Sequence, residues 1–185
     1  MRIGISGTHC CGKTTLIEEF LLRHKDFKYE AEAYEVMQDE LGESFAAQPS
    51  AEDFRRQLEY CAQNLSEYSE GDHVIFERCP ADYLAYMFAL QDLGRDSQAA
   101  QVAARSIGMA RSAMMQLDLI VLVRLSEQDF DVPDEEDPEL RMLVDERLES
   151  ILINNELDLL PDHLLIVEAS GSTLRRLEIL EETLK

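Results

Sequence analysis

Hydrophobic and polar positions follow two spacings along this chain, and segments with one spacing alternate with segments of the other. Short apolar runs that predict strands occupy residues 2–6, 73–77, 117–125 and 163–170. The run at 73–77 is continuous in its apolar residues, which is typical of a strand buried on both faces. Residues 29–36 alternate between apolar and polar types, a period that predicts a further strand.

The longer segments between these runs carry apolar residues at helical spacing. Ser50, with Asp53 three residues on, resembles a capping box. Pro80 is typical of a first helical residue, and Asp137 followed by Pro138 is typical of an N-cap and the position after it. The predicted helices cover residues 13–24, a segment from Ser50, residues 81–92, about 96–116, a segment from Asp137 and a segment from about Ser172.

Alternation of strands and helices over the whole length predicts an α/β fold in which helices cover both faces of a parallel sheet. There is no internal repeat and no linker, so we expect residues 1–185 to form one domain. Residues 126–139 are acidic and contain two prolines, and we expect a loop or lid at about 126–140. Ligands of such sheets bind beyond the carboxyl ends of the strands.

Composition and charge narrow the classes of partner. No apolar run approaches the roughly 20 residues of a membrane span, and the first strand begins at Arg2, where a signal peptide would stand. The chain has 38 acidic and 17 basic residues, a net charge of −21. This charge disfavours nucleic acid and anionic membranes as partners. An anionic ligand would need a local basic pocket.

The four cysteines predict reduced thiols in a cytoplasmic protein, because they form no C-x-x-C pair and show no zinc spacing with the histidines. They are Cys10, Cys11, Cys61 and Cys79. Cys61 lies at helical spacing with Phe54, Leu58 and Leu65, which predicts a core position.

One segment, GTHCCGKT, matches the phosphate-binding loop G-x-x-x-x-G-K-[ST], and a strand precedes it and a helix follows it. Its residues are Gly7, Thr8, His9, Cys10, Cys11, Gly12, Lys13 and Thr14, with Thr15 next in the nucleotide site. The glycines allow backbone N–H groups to surround phosphate oxygens. Lys13 is expected on the β- and γ-phosphates and Thr14 on Mg²⁺. The alternative is a glycine turn with a surface lysine.

The two cysteines of the loop occupy variable positions, where the backbone N–H groups do the binding, and we interpret their side chains as filler. Vicinal cysteines at a helix N-terminus can also have a lowered pKa and be oxidised, so redox inhibition of the loop is the alternative.

Glu77 ends the strand at 73–77 and Arg78 directly follows it, so both would lie beside the loop. Glu77 could take a proton from an acceptor hydroxyl or hold the metal through water, and Arg78 could neutralise phosphate charge. The alternative is an exposed ion pair at the end of a strand.

The loop, the block ERCPADYLAY and the segment DPELRMLVDE together resemble P-loop small-molecule kinases. The likeness is to predicted AAA-type nucleotide kinases related to the nicotinamide-riboside kinase domain and, more distantly, to deoxynucleoside and thymidylate kinases. The resemblance implies a three-layer α/β/α fold with five parallel strands in the order 2-3-1-4-5. It also implies that Glu77 is the catalytic base and metal contact, and that Arg78 contacts substrate or phosphate.

Relatives close an arginine-bearing lid over the transferred phosphate, which implies such a role for Arg141. A helix-surface pair with Asp145 is the alternative for Arg141. The segment EASGSTLRRL resembles the place where relatives pack the nucleotide base, so Gly171 is a candidate base contact, although the same letters suit a plain αβ turn. Candidates for the acceptor pocket are Glu35, at the end of the second predicted strand, Tyr83 and Arg124.

Three functions compete on these grounds. The favoured one is an ATP-dependent kinase that transfers the γ-phosphate to a small-molecule acceptor, such as a nucleoside, a nucleotide or a related metabolite. A nucleotide-switch ATPase or GTPase and a nucleotide-binding regulatory module remain as alternatives. The chain lacks an N-K-x-D guanine motif and an L-S-G-G-Q signature, which disfavours the switch. The oligomeric state stays open, with a homodimer among the alternatives.

Overall fold

The computed structural model describes residues 1–39, 42, 49–125 and 137–185. Its sheet has five strands in the order β2-β3-β1-β4-β5, and every neighbouring pair is parallel. The strands are β1 (Arg2–Ser6), β2 (Lys28–Glu30), β3 (Val74–Glu77), β4 (Leu119–Val123) and β5 (Leu165–Ala169). The predicted α/β fold and strand order are therefore confirmed.

Helices cover both faces of the sheet and complete three layers. They are α1 (Lys13–Arg23), α2 (Ala33–Asp39), α3 (Ala51–Ser66), α4 (Pro80–Asp92), α5 (Ala99–Met114), α6 (Pro138–Leu148) and α7 (Thr173–Thr183). One turn of π-helix, Glu149–Ile153, continues α6. Helices α1 and α7 share one apolar core with the sheet, and α2 to α6 share the other.

The register of the strands brings their carboxyl ends to one edge of the sheet. Ile5 of β1 lies opposite Glu77 of β3, and Ser6 lies opposite Leu122 of β4. The segments that follow β1, β3 and β4 therefore leave the sheet side by side, at the edge where such folds bind ligands.

The predicted helix starts are confirmed. Ser50 and Asp53 form a reciprocal capping box at α3, and Pro80 is the first residue of α4. The Asp137 side chain accepts hydrogen bonds from the backbone N–H groups of Glu139 and Leu140 at the start of α6. Such caps satisfy N–H groups that have no partner inside the helix.

The prediction of a strand over residues 29–36 is wrong. Strand β2 ends at Glu30, and α2 begins at Ala33. Ala33 and Met37, one helical turn apart, are both buried, while Ala, Glu and Met are favourable helix residues. Glu35 accordingly lies in the first turn of α2, not at the end of a strand.

The predicted lid at about 126–140 falls mostly on residues 126–136, outside the described residues. The lid and the single domain therefore stay predictions. No helix in the described part of the chain has the length and apolarity that a bilayer span needs.

Candidate active site

The loop between β1 and α1 has a backbone that only glycine fits at two positions. Gly7 has a φ of 150°, and a Cβ there would lie 2.6 Å from the carbonyl oxygen of Val123 and 2.7 Å from Cys11 Sγ. Gly12 has a φ of 88°, and its Cβ would lie 2.9 Å from Arg176 Nη1. Both glycines of the motif are therefore required by conformation and by space.

Cationic side chains hold the successive backbone carbonyls of this loop. The hydrogen bonds are Arg78 Nη1 to Gly7 O (2.9 Å), Lys13 Nζ to Thr8 O (3.0 Å), Arg141 Nε to His9 O (2.9 Å), Arg141 Nη2 to Cys10 O (3.2 Å) and Arg176 Nη1 to Cys11 O (2.5 Å). In a trans peptide the C=O and the next N–H point in opposite directions. Each N–H group from Thr8 to Gly12 therefore points away from the cation that holds the carbonyl before it.

The same arrangement concentrates positive charge on a chain whose net charge is −21. The cations come from α1, the β3–α4 junction, α6 and α7. The N-terminus of α1 adds unpaired N–H groups and the positive end of its dipole. This cluster has the character of the local basic pocket that an anionic ligand requires here.

Glu77 lies against the phosphate loop. Its side chain is buried, with 6% exposed. One carboxylate oxygen accepts a hydrogen bond of 2.8 Å from the Thr14 hydroxyl, and the other accepts one of 2.8 Å from the Tyr29 hydroxyl. Burial and the Glu77 charge raise the pKa of Tyr29, which keeps its hydroxyl protonated as a donor.

These oxygens fit a magnesium ion. Mg²⁺ prefers one or two carboxylate or hydroxyl oxygens together with phosphate oxygens and water, and Thr14 and Glu77 offer a hydroxyl and a carboxylate in contact. Within the described residues, no group of three His, Cys, Asp or Glu side chains could hold a metal ion. The donor set therefore suits an ion that arrives with a bound triphosphate.

Arg78 is buried behind the loop, with 1% of its surface exposed. Its Nε donates to Glu32 at 2.5 Å, and its Nη1 lies 3.5 Å from Asp82 Oδ1 as well as on the Gly7 carbonyl. The guanidinium also lies 5.0 Å from the centre of the Tyr86 ring. The alternative of an exposed ion pair at the end of the strand is thus wrong, because both Glu77 and Arg78 are buried.

Sequence reasoning missed Asp82, which is wholly buried in the first turn of α4. Its Oδ1 accepts a hydrogen bond from Gly7 N at 3.0 Å, and its Oδ2 accepts one from Cys79 N at 2.8 Å. Asp82 therefore ties the first residue of the loop to the start of α4. The sequence signal that could have indicated Asp82 is its position three residues after Cys79, the spacing of a capping box.

Sequence reasoning also missed Glu32, the partner of Arg78. Burial opposes the ionisation of its carboxyl, but the charges of Arg78 and Lys13 outweigh burial, so the pKa of Glu32 lies below its ordinary value. The carboxylate is therefore ionised at neutral pH. The predicted strand through residue 36 concealed it, since a strand that ends at Glu30 puts Glu32 at the ligand-binding edge.

The predicted acceptor residues Glu35 and Tyr83 lie close to this pair. Glu35 is exposed, and burial together with the charges of Glu77 and Glu32 raises the pKa of its carboxyl. Tyr83 is buried and lines a narrow cleft, partly open to solvent, between α3, β3 and α4. Glu77 and Arg78 line the same cleft.

Arg124 lies in a different environment from the one predicted. Its guanidinium donates to Asp145, Glu149 and Glu168 at 2.7–3.1 Å. These carboxylates engage it as part of an ion-pair network between β4, β5 and α6, so the structure gives no support for substrate contact.

Arg141 lies against the phosphate loop, and its contact with the transferred phosphate stays a prediction. It contacts the His9 and Cys10 carbonyls of the loop, whereas Asp145, its alternative partner, is held by Arg124. Gly171 has a φ of 88° in the β5–α7 connection, where Ser172 caps α7. Its contact with a nucleotide base stays a prediction.

Two of the variable side chains of the loop, His9 and Cys11, have pKa values shifted by burial. Burial, together with the charge of Arg78, lowers the pKa of His9 to about 3, so its ring is neutral and shares a 2.8 Å hydrogen bond with the Tyr86 hydroxyl. Burial raises the pKa of Cys11, so a lowered pKa is wrong for this thiol. Cys10 is exposed, all four cysteines are free, and Cys61 is a core residue as predicted.

Comparison with known proteins identifies the family. A family model described as an AAA domain matches residues 2–164. The chain belongs to this AAA-domain family. No curated protein matches its sequence.

Solved structures with the same fold include deoxyadenosine kinase from M. mycoides. The form with dCMP and a flexible dCDP bound superposes with a TM-score of 0.66 at 16% identity, covering 100% of this chain and 98% of that one. The form with bound dATP gives 0.66 at 16% identity over 100% and 99%, and the form with dCTP gives 0.62 at 17% over 100% and 98%. The predicted fold is therefore confirmed. Identities this low leave the kinase activity to be argued from the site.

Proposed function

We propose that this protein is an ATP-dependent kinase that transfers the γ-phosphate to a hydroxyl group of a nucleoside-like small molecule. One observation carries the proposal: Glu77 touches Thr14 of the phosphate loop, and the buried Glu32–Arg78 pair lies beside it. Phosphate-binding and proton-accepting groups thus meet at one edge of the sheet.

The loop supplies the donor half of the site. The Gly7 and Cys11 carbonyls face the buried Arg78 and Arg176, which would leave the N–H groups of Thr8 and Gly12 to bind the triphosphate. Lys13 would leave the Thr8 carbonyl to reach the β- and γ-phosphates. Thr14 and Glu77 would hold Mg²⁺, which neutralises negative charge on the phosphates when it is bound. Arg141 stands next to the loop at the start of α6, in reach of a transferred group.

A carboxylate supplies the acceptor half. As the acceptor hydroxyl oxygen bonds to the γ-phosphorus, the carboxylate takes the hydroxyl proton, the bond to the β,γ-bridging oxygen breaks, and ADP leaves. Glu77 is the proposed base. Glu32 is the alternative, because hydroxyl donors already engage both oxygens of Glu77.

The charges on this side favour a hydroxyl over a phosphate as the accepting group. Burial and the nearby charges of Glu77 and Glu32 raise the pKa of Glu35, so the three carboxylates lie close together. Two donors of Arg78 already serve Glu32 and the Gly7 carbonyl. The carboxylates would therefore repel a monophosphate, and Arg78 is already engaged by other partners. A neutral nucleoside would not be repelled. The shared fold with deoxyadenosine kinase supports the same acceptor class.

The test is to incubate the protein with Mg-ATP and a panel of nucleosides, nucleoside monophosphates and nicotinamide riboside, and to search by mass spectrometry for a gain of one phosphate. We expect phosphorylation of at least one unphosphorylated nucleoside. Release of ADP without a phosphorylated product, or phosphorylation of monophosphates alone, would contradict the proposal. Lys13→Ala is the inactive control.

A further inference from the structure

A buried arginine of the last helix contacts the phosphate loop from behind. Arg176 lies in the first turn of α7, only 1% exposed, and is one of the largest wholly buried side chains. It approaches from the face of the sheet that α1 and α7 share, whereas Arg141 reaches the loop from α6 on the other face.

Arg176 joins two carbonyls from different parts of the sheet edge. Its Nη1 donates to Cys11 O at 2.5 Å, and its Nη2 donates to Arg124 O at 3.4 Å. The first belongs to the loop one residue before Gly12, and the second follows the end of β4. The guanidinium therefore fixes the loop relative to the central strands.

The contact with Cys11 sets the direction of one N–H group. The carbonyl of Cys11 and the N–H of Gly12 belong to one trans peptide, so they point in opposite directions. With the carbonyl held toward α7, the Gly12 N–H points away from α7. This N–H immediately precedes α1, at the position where a phosphate binds a helix N-terminus.

Space at Gly12 reinforces the same geometry. A Cβ there would lie 2.9 Å from Arg176 Nη1, so the guanidinium packs directly against the glycine of the motif. The small residue at this position thus serves the approach of Arg176 from one side as well as the approach of a phosphate from the other.

We propose that Arg176 is a positioning residue of the phosphate loop: it presets the Gly12 N–H for the triphosphate and adds a buried positive charge behind it. The inference rests on triphosphate binding at this loop, which is part of the proposed function. It goes beyond that function in assigning the order of the loop to the C-terminal helix.

The test compares Arg176→Met and Arg176→Lys with the wild type by calorimetric titration with Mg-ATP in the absence of an acceptor. We expect Arg176→Met to weaken ATP binding about 10- to 100-fold, the scale of a lost charge-assisted hydrogen bond. Arg176→Lys keeps the charge but lacks the planar fork that reaches two carbonyls, so we expect an intermediate affinity.

Arg111→Met is the matched control. Arg111 also donates to two backbone carbonyls, those of Leu157 and Asp158, but away from the loop. We expect this variant to bind Mg-ATP as the wild type does. Equal ATP affinity in wild type, Arg176→Lys and folded Arg176→Met would overturn the proposal.

Two further measurements separate positioning from a purely structural role. In steady-state assays with an acceptor found as above, Arg176→Lys should raise KM for ATP and leave KM for the acceptor unchanged. A variant that only lowers Tm and leaves both KM values unchanged would contradict positioning. If Arg176→Met does not fold, Arg176→Lys alone decides.

Failure of the proposed function gives a different result. If the wild type binds Mg-ATP but phosphorylates no acceptor, the kinase proposal fails, while the binding titrations still decide the role of Arg176.

Discussion

The two sides of the ligand-binding edge of the sheet carry opposite charges. One side is formed by α1, α6 and α7, and their cations Lys13, Arg141 and Arg176 donate to carbonyls of the loop. The other side is formed by β2, α2 and β3, where the carboxylates of Glu32, Glu35 and Glu77 lie close together. Arg78 stands between them, because it donates to the Gly7 carbonyl and to Glu32. One side is built for a polyanion, and the other repels one.

This contrast shows how so acidic a chain could bind a triphosphate, as the proposed function requires. Lys13, Arg141 and Arg176 donate to backbone carbonyls, which orient these side chains without neutralising their charge. Across the surface the acids disfavour anions. Under the proposed function, positive potential at the loop would attract a phosphate donor, and the carboxylates on the other side would not repel a neutral acceptor.

Lys13→Ala should break the cationic side and give the largest effect. We expect the affinity for Mg-ATP to fall by about 100-fold or more, because a charged donor to the phosphates is lost. Calorimetric titration measures it. Lys28→Ala, an exposed lysine of β2, is the control and should bind as the wild type does. An affinity in Lys13→Ala within about twofold of wild type would remove the loop as the triphosphate site.

Glu77→Gln should disable the acidic side and leave the cationic side intact. We expect kcat for phosphate transfer to fall about 10²- to 10⁴-fold, the usual contribution of a general base. The affinity for ATP measured without Mg²⁺ should stay nearly unchanged, because only the metal contact and the base are altered. The control is Glu30→Gln, whose carboxylate bonds Asn64 and Tyr68 away from the loop. An undiminished transfer rate in Glu77→Gln would exclude Glu77 as the base and favour Glu32.

Glu32→Gln should affect stability more than Glu77→Gln does, because it leaves the buried Arg78 without its carboxylate partner. We expect the free energy of unfolding to fall by about 3 kcal/mol, the cost of breaking a buried ion pair. Urea denaturation measures it. Glu35→Gln is the matched control. Neighbouring carboxylates repel the charge of this exposed residue, so removing that charge should not destabilise the protein. Equal stability of Glu32→Gln and wild type would show that the pair is not structural.

His9→Gln should have the smallest effect of these four substitutions, a change in how the stability of the protein depends on pH. The pKa of His9 is about 3 in the fold and 6.5 without it, so between these values the unfolded chain binds more protons. The stability that the neutral ring contributes is complete above about pH 6.5 and declines as the pH falls. This loss is at most about 1.4 kcal/mol per pH unit.

Glutamine can still pair with the Tyr86 hydroxyl but cannot titrate. The difference in unfolding free energy between wild type and His9→Gln should therefore shrink between pH 7 and pH 5 in urea denaturation. Parallel pH profiles for the two proteins would contradict the buried, neutral histidine.

The fold and the loop were predictable because their signals are local. Apolar runs and helical spacing define strands and helices by period, and the spacing of Gly7, Gly12, Lys13 and Thr14 reflects a backbone turn that few other sequences can adopt. The end of β2 was not predictable, because the alternation of residues 29–36 suits a strand while its residue types suit a helix. Contacts of Ala33 and Met37 with the core decided for the helix.

By itself the sequence determined the alternation of strands and helices, the phosphate loop and the place of Glu77 at the end of β3, since each depends on residues close together in the chain. Only the tertiary structure decided that Glu32 faces Arg78, that Arg141 and Arg176 reach the loop carbonyls, and that Arg124 is held by carboxylates. These pairings join residues 21 to 165 positions apart. The partner of a charged side chain is set by which elements the fold packs together, a choice that no local spacing records.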